Sequence, residues 1–107
     1  MSILEEVLAE EYERSERVSR ALMAELADLP RGSVRERLIN GRSYYYLQYR
    51  EGSRVRSDYV PREDVGALRE RLARRKEVVA ALKEQERSRR QIEKALGKGF
   101  VDAHAGA

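Results

Sequence analysis

The chain has 107 residues, 41% of them hydrophobic and 38% charged, with a net charge of +3 and no cysteine. That length holds one domain at most, and its thin core suits long helices with a narrow apolar stripe better than a thick sandwich. No disulfide framework or thiolate metal site is available, no run approaches the ~18 apolar residues of a membrane span, and the acidic Met1–Glu6 start lacks the basic region of a signal peptide. A cytoplasmic protein without membrane contact is the expectation, and a core this thin leads us to expect a homodimer.

Charge is segregated along the chain. Residues 1–29 carry a net charge of −5, residues 30–62 a net of +5 and residues 63–107 a net of +3. Two explanations stand side by side. An acidic first helix could lie beside a basic last one, or the central excess could face an anionic partner.

Ser2 followed three positions later by Glu5 is a capping-box pattern, so a helix over residues 2–29 is expected. Leu4, Leu8, Val18, Leu22 and Leu29 recur at steps of three and four, with Glu11, Ser15 and Glu25 in the intervening seam positions. Glu10–Arg14, Glu13–Arg17 and Glu16–Arg20 are acid-to-base pairs at spacing four on the solvent side. Tyr12 reads as a packing residue. Leu29-Pro30 ends the helix, because the residue before proline is pushed out of the α region.

After Arg31-Gly32 the period changes from 3.6 to 2, and a meander over residues 32–60 is expected. Asn40-Gly41 between two alternating runs signals a type I′ hairpin. It pairs Ile39 with Arg42, Leu38 with Ser43, Glu36 with Tyr45 and Val34 with Leu47. Glu51-Gly52 marks a second turn, whose loop length decides the face of every residue beyond it. An even loop would put Val55 and Tyr59 beside Tyr44 and Tyr46, with Arg54 and Arg56 facing Leu47. An odd loop through Arg50-Glu51-Gly52 keeps the apolar set together, and that is the register expected. It places Tyr45, Tyr49 and Tyr59 inward, and leaves an outward face of Arg35, Arg37, Tyr44, Tyr46 and Gln48 flanked by Arg42, Arg50, Arg54 and Arg56.

Pro61 suits the first turn of a second helix over residues 61–96, with Glu63 and Asp64 at its positive end and Gly97 as its C′ residue. Val65, Leu68, Leu72, Val79, Leu82, Ile92 and Leu96 follow helical spacing, but Arg75, Gln85, Glu86 and Arg89 interrupt the stripe. The distal half therefore packs on the first helix, packs on another subunit, or frays. Residues 98–107 read as a flexible tail.

Catalysis has little support. His104, the single histidine, lies in the tail, the carboxylates sit on charged helix faces, and the serines and glycines form neither a nucleophile elbow nor a phosphate-cradling loop. No enzyme, cofactor or metal is expected. The sharpest feature is the arginine–tyrosine face of Arg35, Arg37, Arg42, Tyr44, Tyr46, Arg50, Arg54 and Arg56. Arginine forks suit phosphate oxygens and guanine edges, and tyrosine rings stack on unpaired bases or donate to phosphate. The bland alternative is a solvated sheet face, in which arginine and tyrosine simply have good strand propensity. The Arg74-Arg75-Lys76 and Arg87-Ser88-Arg89-Arg90 clusters are less specific and read as solvated or paired with glutamates of the first helix.

From about Leu26 to Leu96 the chain resembles a family of small uncharacterised bacterial proteins. The likeness is carried by Leu29-Pro30-Arg31-Gly32-Ser33, by the core from Asn40 to Gly52, by Val55-Arg56-Ser57-Asp58-Tyr59-Val60 and by Leu72-Ala73-Arg74-Arg75-Lys76. It implies a helix–meander–helix layout. A weaker resemblance, over Gly32 to about Leu72, is to the three-stranded arm-type DNA-binding domain of phage integrases. There a Gly-Ser-Val start also leads through a tyrosine-rich strand and a glycine turn to an Arg-Val-Arg strand. It implies a sheet that enters the major groove of DNA.

The expectation is therefore an α+β domain that binds a partner without catalysis: DNA through the arginine–tyrosine face, or alternatively a protein through the helical stalk, with the sheet as a cap.

Overall fold

The computed structural model describes residues 2–104, the side chains of Asp102 and His104 excepted. Its elements are α1 (Ile3–Ala27), β1 (Ser33–Ile39), β2 (Arg42–Glu51), β3 (Arg54–Val60), a 3₁₀ turn (Arg62–Asp64), α2 (Val65–Leu96) and α3 (Lys98–His104). This is the α+β, helix–meander–helix order expected. It adds a short helix where a tail begins in the sequence reading; residues 105–107 of that tail and the His104 side chain lie outside what is described. The chain divides into two compact units, Met1–Ala27 with Val78–Ala107, and Asp28–Glu77. No helix among the described residues is long and apolar enough to cross a membrane.

In the helical unit, Ser2 Oγ accepts the Glu5 N–H at 3.2 Å, which satisfies one of the free donors at the start of α1. The inward face of α1 is Leu8, Tyr12, Ser15, Ser19, Leu22 and Leu26, at steps of four and three. Its most buried members are Tyr12, Ser15 and Ser19, whereas Leu4 is 67% exposed. Apolar periodicity finds Leu8 and Leu22 and the seam position of Ser15 but misses Tyr12 and Ser19, because the centre of the seam is polar, its partners supplied by α2. Tyr12 Oη donates to Glu93 Oε1 at 2.9 Å, and its ring meets Phe100 edge-on at 4.9 Å. Arg89 Nη1 donates to Ser15 Oγ at 3.0 Å, Ser19 Oγ at 2.6 Å and the Ser15 carbonyl at 3.2 Å. Ser15 Oγ donates in turn to Gln85 Oε1 at 2.7 Å.

The order of these contacts makes α1 and the distal half of α2 antiparallel. Two of the residues that interrupt the apolar stripe of α2, Gln85 and Arg89, are thus among those that hold α1. Val78, fully buried, and Ile92 supply the apolar part of the packing. Burial first, and then the Glu93 carboxylate, raise the Tyr12 phenol above its ordinary pKa.

Several ion pairs differ from those expected. Arg14 turns to Glu11 at 2.6 Å instead of Glu10, and its hydrogen bond holds the Glu11 carboxyl below its usual pKa. Arg74 pairs with Glu77 of α2, and Arg87 and Arg90 pair with Glu84 and Glu86 of the same helix. Side chains three and four positions apart on one helix are neighbours whatever the helix packs against. Such exposed pairs contribute little stability.

In the second unit the chain leaves α1 two residues earlier than expected. Arg71 and Arg75 of α2 donate to the main-chain carbonyls of Asp28 and Leu29, groups that no longer have a helical partner. The first hairpin has the expected pairs, with Asn40 at φ 51° and Gly41 at φ 79° in a two-residue turn.

The second hairpin corrects the sequence reading. Glu51 pairs with Arg54, so the loop is the two residues Gly52-Ser53 and not three. Positive φ falls on Gly52 alone, at 61°, the pattern of a type II′ turn. Its twist matches the flanking strands, and that backbone preference outweighs the grouping of apolar side chains that favours an odd loop. Every residue of β3 therefore lies on the face opposite to the one expected. The sheet order is β1-β2-β3. One face of it meets the first turns of α2, where Arg69 lies over the Tyr45 ring at 6.0 Å and Val34 shares a recess with Leu72 and Ala73.

Candidate nucleic-acid interface

Strand alternation sorts the meander into two faces. The face toward α2 carries Val34, Glu36, Leu38, Ser43, Tyr45, Leu47, Tyr49, Glu51, Arg54, Arg56, Asp58 and Val60. Most of its charged groups have a partner within the sheet. Arg56 Nε lies 3.3 Å from Glu51, Ser43 Oγ donates to Glu36 at 2.6 Å, and hydrogen bonding to Asp58 raises the Tyr49 phenol above its ordinary pKa. Arg31 lies over the Tyr49 ring at 5.9 Å.

The other face carries Ser33, Arg35, Arg37, Ile39, Arg42, Tyr44, Tyr46, Gln48, Arg50, Val55, Ser57 and Tyr59. It has four arginines and no carboxylate. All three acids of the meander, Glu36, Glu51 and Asp58, are on the opposite side. Among the described residues, Arg35, Arg37, Arg42 and Arg50 make no ion pair. Arg37 instead sits over the Tyr46 ring at 5.2 Å. Tyr46 is the centre of this face, opposite Arg35 on β1 and Tyr59 on β3, with the Tyr59 ring edge-on at 6.0 Å. At one end Tyr44, Arg42 and Gly41 share an open recess of about 430 Å³ with Arg62 from the 3₁₀ turn.

Six of the eight residues expected at a nucleic-acid site are thus together: Arg35, Arg37, Arg42, Tyr44, Tyr46 and Arg50. Arg54 and Arg56 are not, because the two-residue second turn sends them to the α2 side. The same turn brings in Tyr59, expected inward and in fact 60% exposed. Gly52-Ser53 is itself a two-residue hairpin signal and is where the sequence holds the information. Arg62 has no such local signal, since only the path of the chain after β3 brings it beside Tyr44.

Among the described residues no group of three histidine, aspartate or glutamate side chains is placed to share a metal ion. A family model described as Domain of unknown function (DUF6788) matches residues 8–74, the whole meander included. The chain belongs to that family. No curated protein and no solved structure matches it. The DUF6788 match holds every residue of the arginine–tyrosine face and also Ser15 and Ser19, while their partners Gln85 and Arg89 lie beyond its end.

Proposed function

We propose that this chain is a small, non-enzymatic, cytoplasmic binding protein that contacts DNA through the arginine–tyrosine face of its meander. One observation carries the reading: four arginines that make no ion pair among the described residues share a sheet face that has no carboxylate, around the half-buried Tyr46 and the exposed Tyr59. Guanidinium groups left unpaired on one surface are costly to crowd together unless an anion serves them, and phosphate fits their planar fork. The likeness of Gly32 to about Leu72 to the arm-type domain of phage integrases supports the same reading.

Fluorescence anisotropy across a salt series tests it. The native chain should lose affinity steeply as salt rises, and Arg35/Arg37/Arg42/Arg50→Ala should flatten the log–log slope by about 3 to 4. Arg54/Arg56→Ala, altered on the opposite face, should keep the native slope. Equal and negligible binding by the native and fourfold variants ends the proposal.

A second reading rests on Ile3, Leu4 and Val7, which are 81%, 67% and 53% exposed at the start of α1. This apolar patch supports self-association, or capture of another protein, through the helices. Light scattering should return a dimer mass, and Ile3/Leu4/Val7→Ser should shift it to a monomer. A monomer mass for the native chain at micromolar concentration removes self-association from this reading.

A further inference from the structure

We infer that the ligand of the arginine–tyrosine face is a single strand of nucleic acid, an unpaired base stacked on Tyr59 and its phosphates held along β1 by Arg35 and Arg37. This rests on the nucleic-acid reading above and specifies the form of the ligand. Two features of the face carry it.

The first is the one-sided distribution of charge. On this face the β1 edge carries Arg35 and Arg37, and β2 has Arg42 and Arg50 near its two ends. The β3 edge contributes Val55, Ser57 and Tyr59 and no charge at all. The outer strands of a three-stranded sheet are about 10 Å apart, close to the width of a major groove. A duplex groove is walled by phosphates on both sides. A sheet seated in it would set one of those walls against Val55, Ser57 and Tyr59. A single strand has one line of phosphates with bases to one side of it, which is the pattern of β1 and β3.

The second is the aromatic pair. Tyr59 is 60% exposed, and its ring meets Tyr46 at 6.0 Å with an interplanar angle of 72°. Inside a duplex the base faces are covered by their neighbours, so an exposed tyrosine could gain there only a phenolic hydrogen bond. Against an unpaired base the face of the exposed Tyr59 ring is itself usable, and such a stack is sequence-tolerant. Beside this pair runs an uncharged cross-strand row, Ser33, Gln48 and Ser57, with donors and acceptors suited to the exposed edges of unpaired bases.

The chain has no tryptophan, so Tyr59→Trp installs a single reporter at the proposed stack. Titration with a fifteen-nucleotide oligo(dT) is expected to quench its emission. It should bind the native chain at least tenfold more tightly than a duplex of the same length. Tyr59→Ala should weaken oligo(dT) binding roughly tenfold or more and leave duplex binding within twofold, while Tyr59→Phe keeps the native affinity. Arg35/Arg37→Ala should flatten the salt slope for the single strand by about 1.4. A parallel titration with oligo(U) separates the sources: binding by either oligomer supports the inference, and the tighter one names DNA or RNA. Duplex bound as tightly as either single strand, or an unquenched indole in a Tyr59→Trp chain that binds, overturns the inference and leaves the proposed function standing. No binding to any of the three removes both.

Discussion

Gly32→Ala is expected to lower the stability of the fold by about 2–5 kcal/mol, the sum of a strained backbone and an overpacked contact. Gly32 has φ +113°, outside the range an alanine adopts without strain. A Cβ built there would lie 2.3 Å from the Gln48 carbonyl oxygen and 2.9 Å from Tyr49 Cβ. The obstacle is the main chain of the central strand, and no rotamer change relieves it. The loss would be a large share of the ~5–15 kcal/mol that holds a typical domain. Gly52→Ala is the control. It too sits at positive φ, 61°, but nothing lies within 4 Å of its added carbon, so its cost should be nearer 1–2 kcal/mol. Urea unfolding of the two variants, with unchanged m-values, measures the difference. A Gly32→Ala midpoint no lower than that of Gly52→Ala would show that β2 does not approach Gly32 so closely.

Arg89→Leu is expected to cost about 1.5–3 kcal/mol, the worth of charge-assisted hydrogen bonds whose acceptors are left buried. Ser15 is 1% and Ser19 7% exposed, and the Arg89 guanidinium reaches both hydroxyls and the Ser15 carbonyl. Removing it leaves Ser19 Oγ without this partner and Ser15 Oγ with Gln85 alone. Replacing both sides of such a cluster with apolar groups costs less than removing one. Arg89→Leu combined with Ser15→Ala and Ser19→Ala should therefore be more stable than Arg89→Leu by itself. Thermal melts of the single and triple variants decide it. A triple variant that melts below the single one would mean that the serines contribute through packing and not as acceptors for Arg89.

The two hairpins show how far local signals reach. Asn40-Gly41 carries its own backbone requirement, and the register it implies is the register found, pair for pair. At the second turn, grouping Val55 and Tyr59 with Leu47 favours an odd loop, yet the pair Glu51–Arg54 closes an even one. Val55 is 56% and Tyr59 60% exposed as a result. A three-stranded sheet this small does not need those side chains in its core; Val60 and Val65 are buried in their place. The turn geometry therefore prevails over side-chain grouping, and it moves Arg54 and Arg56 off the candidate site and Tyr59 onto it.

The helix–meander–helix order, the first register, the Ser2 cap and the left-handed Gly97 at the end of α2 are legible in the residues, because each is set by interactions within a few positions. The sequence also placed the excess of arginine in the meander. The tertiary structure alone decided that the distal half of α2 lies on α1 through Gln85, Arg89 and Glu93, since polar seams leave no apolar period to read. It decided, too, that the meander's arginines divide four to one face, with its carboxylates on the other. For Arg54, Arg56 and Asp58 that division follows from one residue of loop length, set by the Gly52-Ser53 turn.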